Sequence, residues 1–453
     1  MVNIAFLNQL GAARSDAEFA RTAAGLVALQ VYDSIKSHGF DPFVHQDALE
    51  RVEDDIAKVE TESGVGPALQ ALVAALPFWD SNDGVRIGRR AVYTALLVYG
   101  QRVADEGEWK LAATVYALVG MDAELDGETW LAAEARLLMG RALRMCADWE
   151  SSHIAYRRAY ELGTEARDTY IALRARIGEA NNLWTRGDFP AARKLLALTA
   201  RTARQSCPAV LPRITLALAG LANAAGEYER AIHLTFRLLT SLPDDDELAY
   251  YALVDLAAFL TDYGLPDVAS ASLLLVERAA PEARIRRHAK LNRFFLAARH
   301  DEEAAFDALR AELGSDRLTP RQQTQYALFS AQGYRRFSKL ELAKSEADRA
   351  LTLATDFQQF QLVFEAEEAL RDIEVASAAA RSADNARRAS SRSHKSSTVD
   401  YAAATEADQW TIRRTPADDG NLSPRMRRVA RSLQEMGAAR FAATALEPSS
   451  AEY

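Results

Sequence analysis

The sequence has few cysteines, few aromatic residues and no long hydrophobic run. Its two cysteines, Cys146 and Cys207, are too few for a disulfide framework and predict a reducing compartment such as the cytoplasm. Aromatic residues make up 8% of the 453 residues, and glycine and proline together number 35 (22 + 13), which argues against an all-β fold with many turns. No run of about 18 apolar residues occurs, so we expect no membrane span.

Motifs typical of catalysis and of metal or cofactor binding are also missing. The seven histidines lack His-Glu-x-x-His spacing, and the chain has no Gly-x-Ser-x-Gly, Gly-x-Gly-x-x-Gly or phosphate-loop motif. We therefore expect no metal, no cofactor and no enzymatic activity, with an enzyme of unrecognised site as an alternative. Nothing resembles a helix-turn-helix or a zinc finger, so a nucleic-acid partner is not expected. We interpret Cys146, close to Arg144, as a buried structural thiol rather than a reactive one.

A short pattern recurs along the chain: a small residue, a polar residue, an aromatic or apolar residue, and a small residue three positions later. The clearest copies begin at Gly107, Gly187 and Gly226. Successive third positions are separated by 36 to 40 residues, and such near-equal steps indicate an internal repeat. These third positions are Trp109, Trp149, Phe189, Tyr228, Pro266, Glu302 and Leu340.

Each unit of the repeat is predicted to be a pair of helices. Apolar residues recur at helical spacing before Gly107 and again after it. A glycine between the helices has a mechanical reason, because glycine ends a helix in the left-handed conformation at low cost. One hairpin cannot bury its apolar faces alone, so neighbouring hairpins must stack to form a continuous core.

These residues resemble the tetratricopeptide repeat family, whose units have a small residue in the first helix and a Gly-acidic-aromatic turn. Alanine and an aromatic residue then follow in the second helix, most clearly here at Tyr116 and Tyr156. The steps exceed the 34 residues of that family, as in some bacterial regulatory variants. The resemblance implies an all-α fold, specifically an α-solenoid in which the hairpins form a right-handed superhelix. The matching first-helix small residues are Gly100, Gly140, Ala180, Ala219, Ala257 and Ala331.

The sequence divides into five parts. We predict an N-terminal helical cap or bundle over residues 1–88 and seven helical hairpins over residues 89–356. Residues 357–381 predict a closing helix, and the Ser-, Ala- and Arg-rich residues 382–422 predict a disordered linker. A basic amphipathic helix is predicted over residues 423–445. A basic tail on an acidic body favours either self-docking or an anionic partner, so this helix is a candidate for self-association.

The resemblance also implies a site, because in the tetratricopeptide family the first helix of each pair lines a concave ligand groove. At the corresponding positions we favour Arg174, Asn181 and Arg213, since an asparagine amide can bond a peptide backbone and an arginine can hold a carboxylate. Alternatively, these arginines pair with acids on adjacent helices, and Glu134 is suited to neutralise Arg174 or Arg141. Gly220 occupies one groove position without any side chain. The predicted partner-binding residues are Arg141, Arg144, Arg174, Asn181, Trp184, Arg213, Asn223, Tyr251, Arg287, Gln332 and Arg335.

The sequence therefore favours a non-catalytic scaffold or adaptor that binds a protein or peptide segment in a basic groove. The partner is expected to be acidic or to bear carboxylates. The alternative is a ligand- or peptide-responsive bacterial regulator in which the N-terminal bundle is the output. Both hypotheses use the same groove, and they differ in whether occupying it changes the conformation of the rest of the chain.

Overall fold

The computed structural model describes residues 2–13, 16–57, 64–80, 85–243, 246–280, 282–300, 302–316, 318–356 and 359–393. Within these ranges the chain forms nineteen α-helices and no β-strand. None of the helices so described is long and apolar enough to cross a membrane. The all-α fold class predicted from the sequence is confirmed.

Four helices precede the repeats. The third of them begins where Pro42 follows Asp41, whose carboxylate accepts a hydrogen bond from the Phe43 amide at 2.9 Å, and this is the arrangement of a helix N-cap. Its buried side chains recur every three or four residues and face the neighbouring helices. The four helices are α1 (Val2–Ala12), α2 (Asp16–His38), α3 (Pro42–Ile56) and α4 (Val65–Ala75).

Fourteen further helices follow in pairs, and the first and second helices of each pair are joined by a short turn. The first helices are α5 (Val85–Asp105), α7 (Thr129–Met145), α9 (Thr169–Thr185), α11 (Leu211–Ala224), α13 (Glu247–Tyr263), α15 (Ala283–Arg299) and α17 (Pro320–Arg336). The second helices are α6 (Trp109–Leu125), α8 (Trp149–Glu165), α10 (Phe189–Ser206), α12 (Tyr228–Ser241), α14 (Pro266–Ala279), α16 (Glu303–Ser315) and α18 (Leu340–Asp356).

The chain divides into two compact units. Of the described residues, the first unit contains those up to 238 with the short segments 318–321 and 355–361, and the second contains those of 239–316, 322–354 and 362–393. Within the first unit each helix from α5 to α11 packs on the next, and the first helices α5, α7, α9 and α11 also contact one another in order. This stacking is that of an α-solenoid, as the sequence predicts.

The turns explain the acidic residue of the repeat pattern where that residue is an aspartate. Asp148 and Asp188 directly precede second helices, and their carboxylates accept hydrogen bonds from the amides of Ser151 and Ala191 at 3.1 Å. Each aspartate therefore satisfies a backbone donor that the first turn of a helix leaves unpaired. The preceding Gly187 has φ +88°, a left-handed conformation that glycine adopts without steric cost.

The aromatic residue of the second helix packs on glycines of the first helices. The Tyr156 ring of α8 is so close to α7 and α9 that a Cβ added at Gly140 or Gly178 would lie 2.7 or 2.2 Å from it. Tyr116 of α6 contacts Gly100 of α5 in the same way, with a corresponding distance of 2.7 Å. Gly100, Gly140 and Gly178 are therefore required by packing against the aromatic rings.

A buried polar cluster joins α2 to α6. Asp122, of which 1% is exposed, accepts a hydrogen bond from the Tyr32 hydroxyl at 2.7 Å and forms an ion pair with Lys36. Burial, together with the Asp122 carboxylate, raises the pKa of Tyr32, so the phenol keeps its proton and donates. Trp79 packs edge-on against the Tyr32 and Tyr93 rings, with centroid distances of 5.4 and 5.6 Å. The N-terminal helices and the first hairpins consequently share one hydrophobic core.

The last described helix, α19, spans Phe360–Ser393 and so continues past Arg381, where the closing helix was predicted to end. The rest of the predicted linker, residues 394–422, and the predicted basic helix over residues 423–445 lie beyond Ser393. Those residues lie outside the described part of the chain.

Candidate functional site

The predicted groove residues fall into two sets, one in each unit. Seven lie in the first unit on α7, α9 and α11, and we call their surface the first-helix face: Arg141, Arg144, Arg174, Asn181, Trp184, Arg213 and Asn223. Four lie in the second unit on α13, α15 and α17: Tyr251, Arg287, Gln332 and Arg335. Because α9 packs on both α7 and α11, the first set forms a row across three neighbouring helices.

At one end of the first-helix face, two arginines interact with side chains of the fold. Arg174 of α9 forms an ion pair with Glu134 of α7, with Nη1 and Oε1 3.3 Å apart, and its guanidinium also lies 5.5 Å from the Tyr170 ring. The guanidinium carbon of Arg141 lies 5.8 Å from the centroid of the Trp109 ring. The pairing of Arg174 with Glu134 is the alternative that the sequence left open, and it lowers the net positive charge at this end.

The centre of the face is formed by a tryptophan and an asparagine one helical turn apart on α9. The Trp184 indole Nε1 donates a hydrogen bond to the Asn181 side-chain oxygen at 3.1 Å, and both side chains are half-buried. This bond fixes the amide, because the oxygen must face the indole. The Asn181 NH₂ group is then left to donate, and no described residue accepts from it.

Gly220 of α11 faces the same tryptophan. A Cβ added to Gly220 would have one neighbouring atom within 4 Å among those the structure describes, Cζ2 of Trp184 at 4.0 Å. Packing therefore does not require this glycine, unlike Gly140 or Gly178, although a helix-interior glycine costs about 1 kcal/mol relative to alanine. We call Asn181, Trp184 and Gly220 the Trp184 site. It offers open space beside an indole and next to an amide donor.

Arg213 of α11 supplies positive charge beside this site. Its side chain is exposed and makes no ion pair with a described residue, and it lies seven residues before Gly220 on the same helix face. Arg144, in the last turn of α7, has a buried Nε that no described group accepts from. The charge on this face is thus partly neutralised at Arg174 and uncompensated at Arg213.

The predicted residues of the second unit are placed differently. Arg335 forms an ion pair with Asp372 of α19 at 3.5 Å, and both side chains are about half exposed, so the pair contributes little to stability. Tyr251, Arg287 and Gln332 are half-buried on α13, α15 and α17.

Cys146 is not a reactive thiol. Burial raises its pKa to about 11, and the nearby Lys110 offsets only part of that effect. A thiol with such a pKa holds almost no thiolate at neutral pH, which fits the structural role predicted from the sequence. In the part of the chain that the structure describes, no cluster of three or more His, Cys, Asp or Glu residues has the arrangement of a metal site.

Sequence reasoning missed the role of Gly220, although the sequence contains a signal for it. The residue lies at a groove position, and a glycine inside a predicted helix needs a reason. What the sequence could not show is whether that reason is packing or open space. The distances to Tyr156 at Gly178 and to Trp184 at Gly220 distinguish the two cases.

No protein-family model matches this chain, and no curated protein matches it. It is similar to the solved structure of the Rap conjugation gene regulator of the plasmid pLS20 in complex with the Phr peptide. The identity is 15%, the TM-score is 0.49, and the match covers 75% of this chain and 96% of that one. A second similar structure is a circular tandem repeat protein with novel repeat topology and enhanced subunit contact surfaces, with 15% identity, a TM-score of 0.16, and coverage of 86% and 89%. Likeness at this level assigns no function to the chain.

Proposed function

We propose that this protein is a non-catalytic scaffold or adaptor, built from tetratricopeptide-like hairpins, that binds a peptide segment of another protein on the first-helix face. The observation that supports this most is the Trp184 site. A glycine that packing does not require leaves space beside a half-buried indole, and a fixed amide donor lies next to that space. Both cysteines are free, which fits a cytoplasmic protein.

The chemistry of the site defines the peptide it would hold. An apolar side chain fits on the Trp184 indole over Gly220, where it would be removed from water. The Asn181 NH₂ group would donate to a carbonyl of the peptide backbone, which gives orientation without sequence preference. Arg213 would bind a carboxylate of the same segment. The proposed partner is therefore an acidic segment with one apolar or aromatic residue.

This proposal predicts that filling the open space weakens peptide binding without harming the fold. Peptides selected from a random display library on the full-length protein should be enriched in acidic residues and contain one large apolar residue. Gly220→Leu, which places a side chain over the indole, and Trp184→Ala, which removes the indole, should each weaken those peptides at least about 10-fold. Fluorescence anisotropy with labelled peptides measures the change in Kd.

Two controls separate binding from folding. Gly220→Ala should unfold at the same or a higher temperature than the wild type, because alanine has the better helix propensity and meets no close neighbour. Arg335→Ala removes a predicted groove cation that lies in the second unit and not in the Trp184 site, and it should leave Kd unchanged. If the selected peptides bind Gly220→Leu and Trp184→Ala with wild-type affinity, the Trp184 site is not where they bind.

A peptide-responsive regulator is the second candidate, and the buried Tyr32–Asp122–Lys36 cluster favours it. This cluster joins the N-terminal helix α2 to α6 through a hydrogen bond and an ion pair of Asp122. Such polar contacts depend on geometry and differ in strength from apolar packing. We expect saturating amounts of a selected peptide to change the radius of gyration measured by small-angle X-ray scattering. An unchanged scattering curve at full occupancy would favour the scaffold alone.

A further inference from the structure

A cavity of about 430 Å³ lies in the first unit between the end of α8, the start of α9 and the length of α10. It shares no residue with the first-helix face. Its apolar wall is formed by Ala172, Leu173, Leu195 and Leu198, and its polar lining by two arginines and several hydroxyl groups. This volume falls in the range of small-molecule sites in proteins, and the mixed lining is typical of them.

The backbone holds one of these arginines at an energetic cost. Arg167 lies in the turn between α8 and α9 with φ +58°, in the left-handed region that disfavours residues with a Cβ. The turn at the equivalent place between α6 and α7 has Gly127 in the left-handed conformation, so a glycine is sufficient for the fold there. Among the positive-φ residues of the described chain, Arg167 is the one with a long cationic side chain, and that side chain lines the cavity.

The two arginines differ in how their charge is compensated. Arg176 lies 4.0 Å from the Tyr160 ring and donates to Glu179 at 3.0 Å, so its charge is balanced within the fold. Arg167 is exposed, and no described residue forms an ion pair or hydrogen bond with its guanidinium. Its planar set of N–H donors is therefore available to an oxyanion, which it can hold in bidentate geometry.

Four of the six hydroxyl groups that line the cavity present acceptors rather than donors. Thr164 and Thr199 each donate the hydroxyl proton to the carbonyl four residues earlier in the same helix at 2.7 Å, and Ser206 does so at 2.8 Å. Thr202 makes the same kind of bond at 3.3 Å. Because each hydroxyl has one proton, only its lone pairs remain for a ligand. A ligand that satisfies these oxygens must carry several hydrogen-bond donors of its own.

We propose that this cavity binds a small polyhydroxylated anion, such as a sugar phosphate or a sugar acid. Its anionic group is held by Arg167 at the rim, and its hydroxyls donate to the threonine and serine oxygens along α8 and α10. The C–H groups of its carbon skeleton pack on Leu195 and Leu198. This site is separate from the proposed peptide site, so either one can fail without the other.

The experiment uses the full-length protein and a defined panel: glucose 6-phosphate, gluconate, neutral glucose and inorganic phosphate. Saturation-transfer NMR and thermal unfolding should show that at least one of the two anionic polyols binds with Kd below about 10 mM. Glucose and phosphate alone should bind at least about 10-fold more weakly, since each lacks half of the recognised chemistry. Binding of phosphate alone would mean that the hydroxyls contribute nothing, and no binding by either anionic polyol would overturn the proposal.

The substitution Arg167→Gly gives the sharpest test, because its effects on stability and binding should be opposite. Glycine relieves the left-handed backbone, so the midpoint of thermal unfolding should rise by about 2 °C. Loss of the guanidinium should weaken the anionic polyol at least about 10-fold. A variant that binds the polyol as the wild type does would contradict the assignment. A variant that unfolds at a lower temperature than the wild type would contradict it as well, because the left-handed backbone at Arg167 would then not be strained.

Three matched variants complete the design. Arg186→Ala removes an equal charge at the opposite end of α9, and Ala147→Gly relieves another left-handed turn, so both should retain polyol binding. Thr202→Val removes a hydroxyl from the cavity lining, and valine has nearly the same shape as threonine. This variant should bind the anionic polyols more weakly, while its weak binding of phosphate should be unchanged. Loss of polyol binding in Arg186→Ala would show that net charge, rather than this cavity, determines it.

Discussion

Asp122→Ala is expected to destabilise the contact between α2 and α6 by about 3 kcal/mol. The change leaves the Tyr32 hydroxyl buried without its acceptor and leaves Lys36 without its counterion. Lys36 keeps a third of its side chain exposed, which limits the charge penalty, so the unsatisfied phenol supplies much of the effect. Hydrogen exchange measured by mass spectrometry should show amides of α2 exchanging about 100-fold faster than in the wild type.

Two further variants distinguish the cluster from general destabilisation. Asp122→Asn keeps an acceptor for Tyr32 and loses only the charge, so its effect on exchange in α2 should be clearly smaller. Glu161→Ala breaks surface ion pairs with Arg157 and Arg158 whose side chains are about half exposed, and it should change stability by about 0.5 kcal/mol or less. Equal acceleration in Asp122→Asn and Asp122→Ala would show that the hydrogen bond to Tyr32 contributes nothing.

Gly178→Leu is expected to cost about 3 kcal/mol of stability in the first unit. Even a Cβ at this position would lie 2.2 Å from Tyr156 Cε1, and the ring has no free side to move toward because Gly140 of α7 lies against it as well. The leucine must therefore push α9 away from α8. Urea unfolding followed by circular dichroism should show a lower midpoint, with local loss of protection in α8 and α9.

Gly220→Leu is the matched control for this prediction, because it introduces the same side chain into α11 where the added Cβ has no close neighbour. It should be at least as stable as the wild type. Combining Gly178→Leu with Tyr156→Ala should recover part of the lost stability, since the ring that collides with the leucine is gone. Additive losses in the double variant would exclude the Tyr156 contact as the cause.

The fold could be predicted from the sequence because its repeat combines several local signals. A helix-ending glycine, a capping acid such as Asp188 and an aromatic residue recur together, and each has a local physical reason that does not depend on distant residues. Gly140 was predicted as a small first-helix residue, and the structure gives its reason, which is the Tyr156 ring.

The site could be predicted only in part, because it depends on contacts between helices about 40 residues apart. The sequence located Arg174 on the correct helix but left open whether it faces a partner or Glu134, and the structure shows the ion pair. Gly178 had no counterpart in the repeat pattern, since it contacts the tyrosine of the preceding hairpin. Arg167 was missed for a different reason. A glycine in a turn indicates a left-handed backbone conformation, whereas an arginine at the same place gives no such signal in the sequence.

The two-sided contact of Tyr156 means that the hairpins of this protein are not interchangeable building blocks. Deleting α9 and α10 together would bring α11 next to α8, and the residue then facing the ring would be Ala217, 39 positions after Gly178. Even that methyl group would collide with the ring. Lengthening or shortening the array by whole units, which works for repeat proteins with uniform interfaces, would therefore require a compensating change at each new junction.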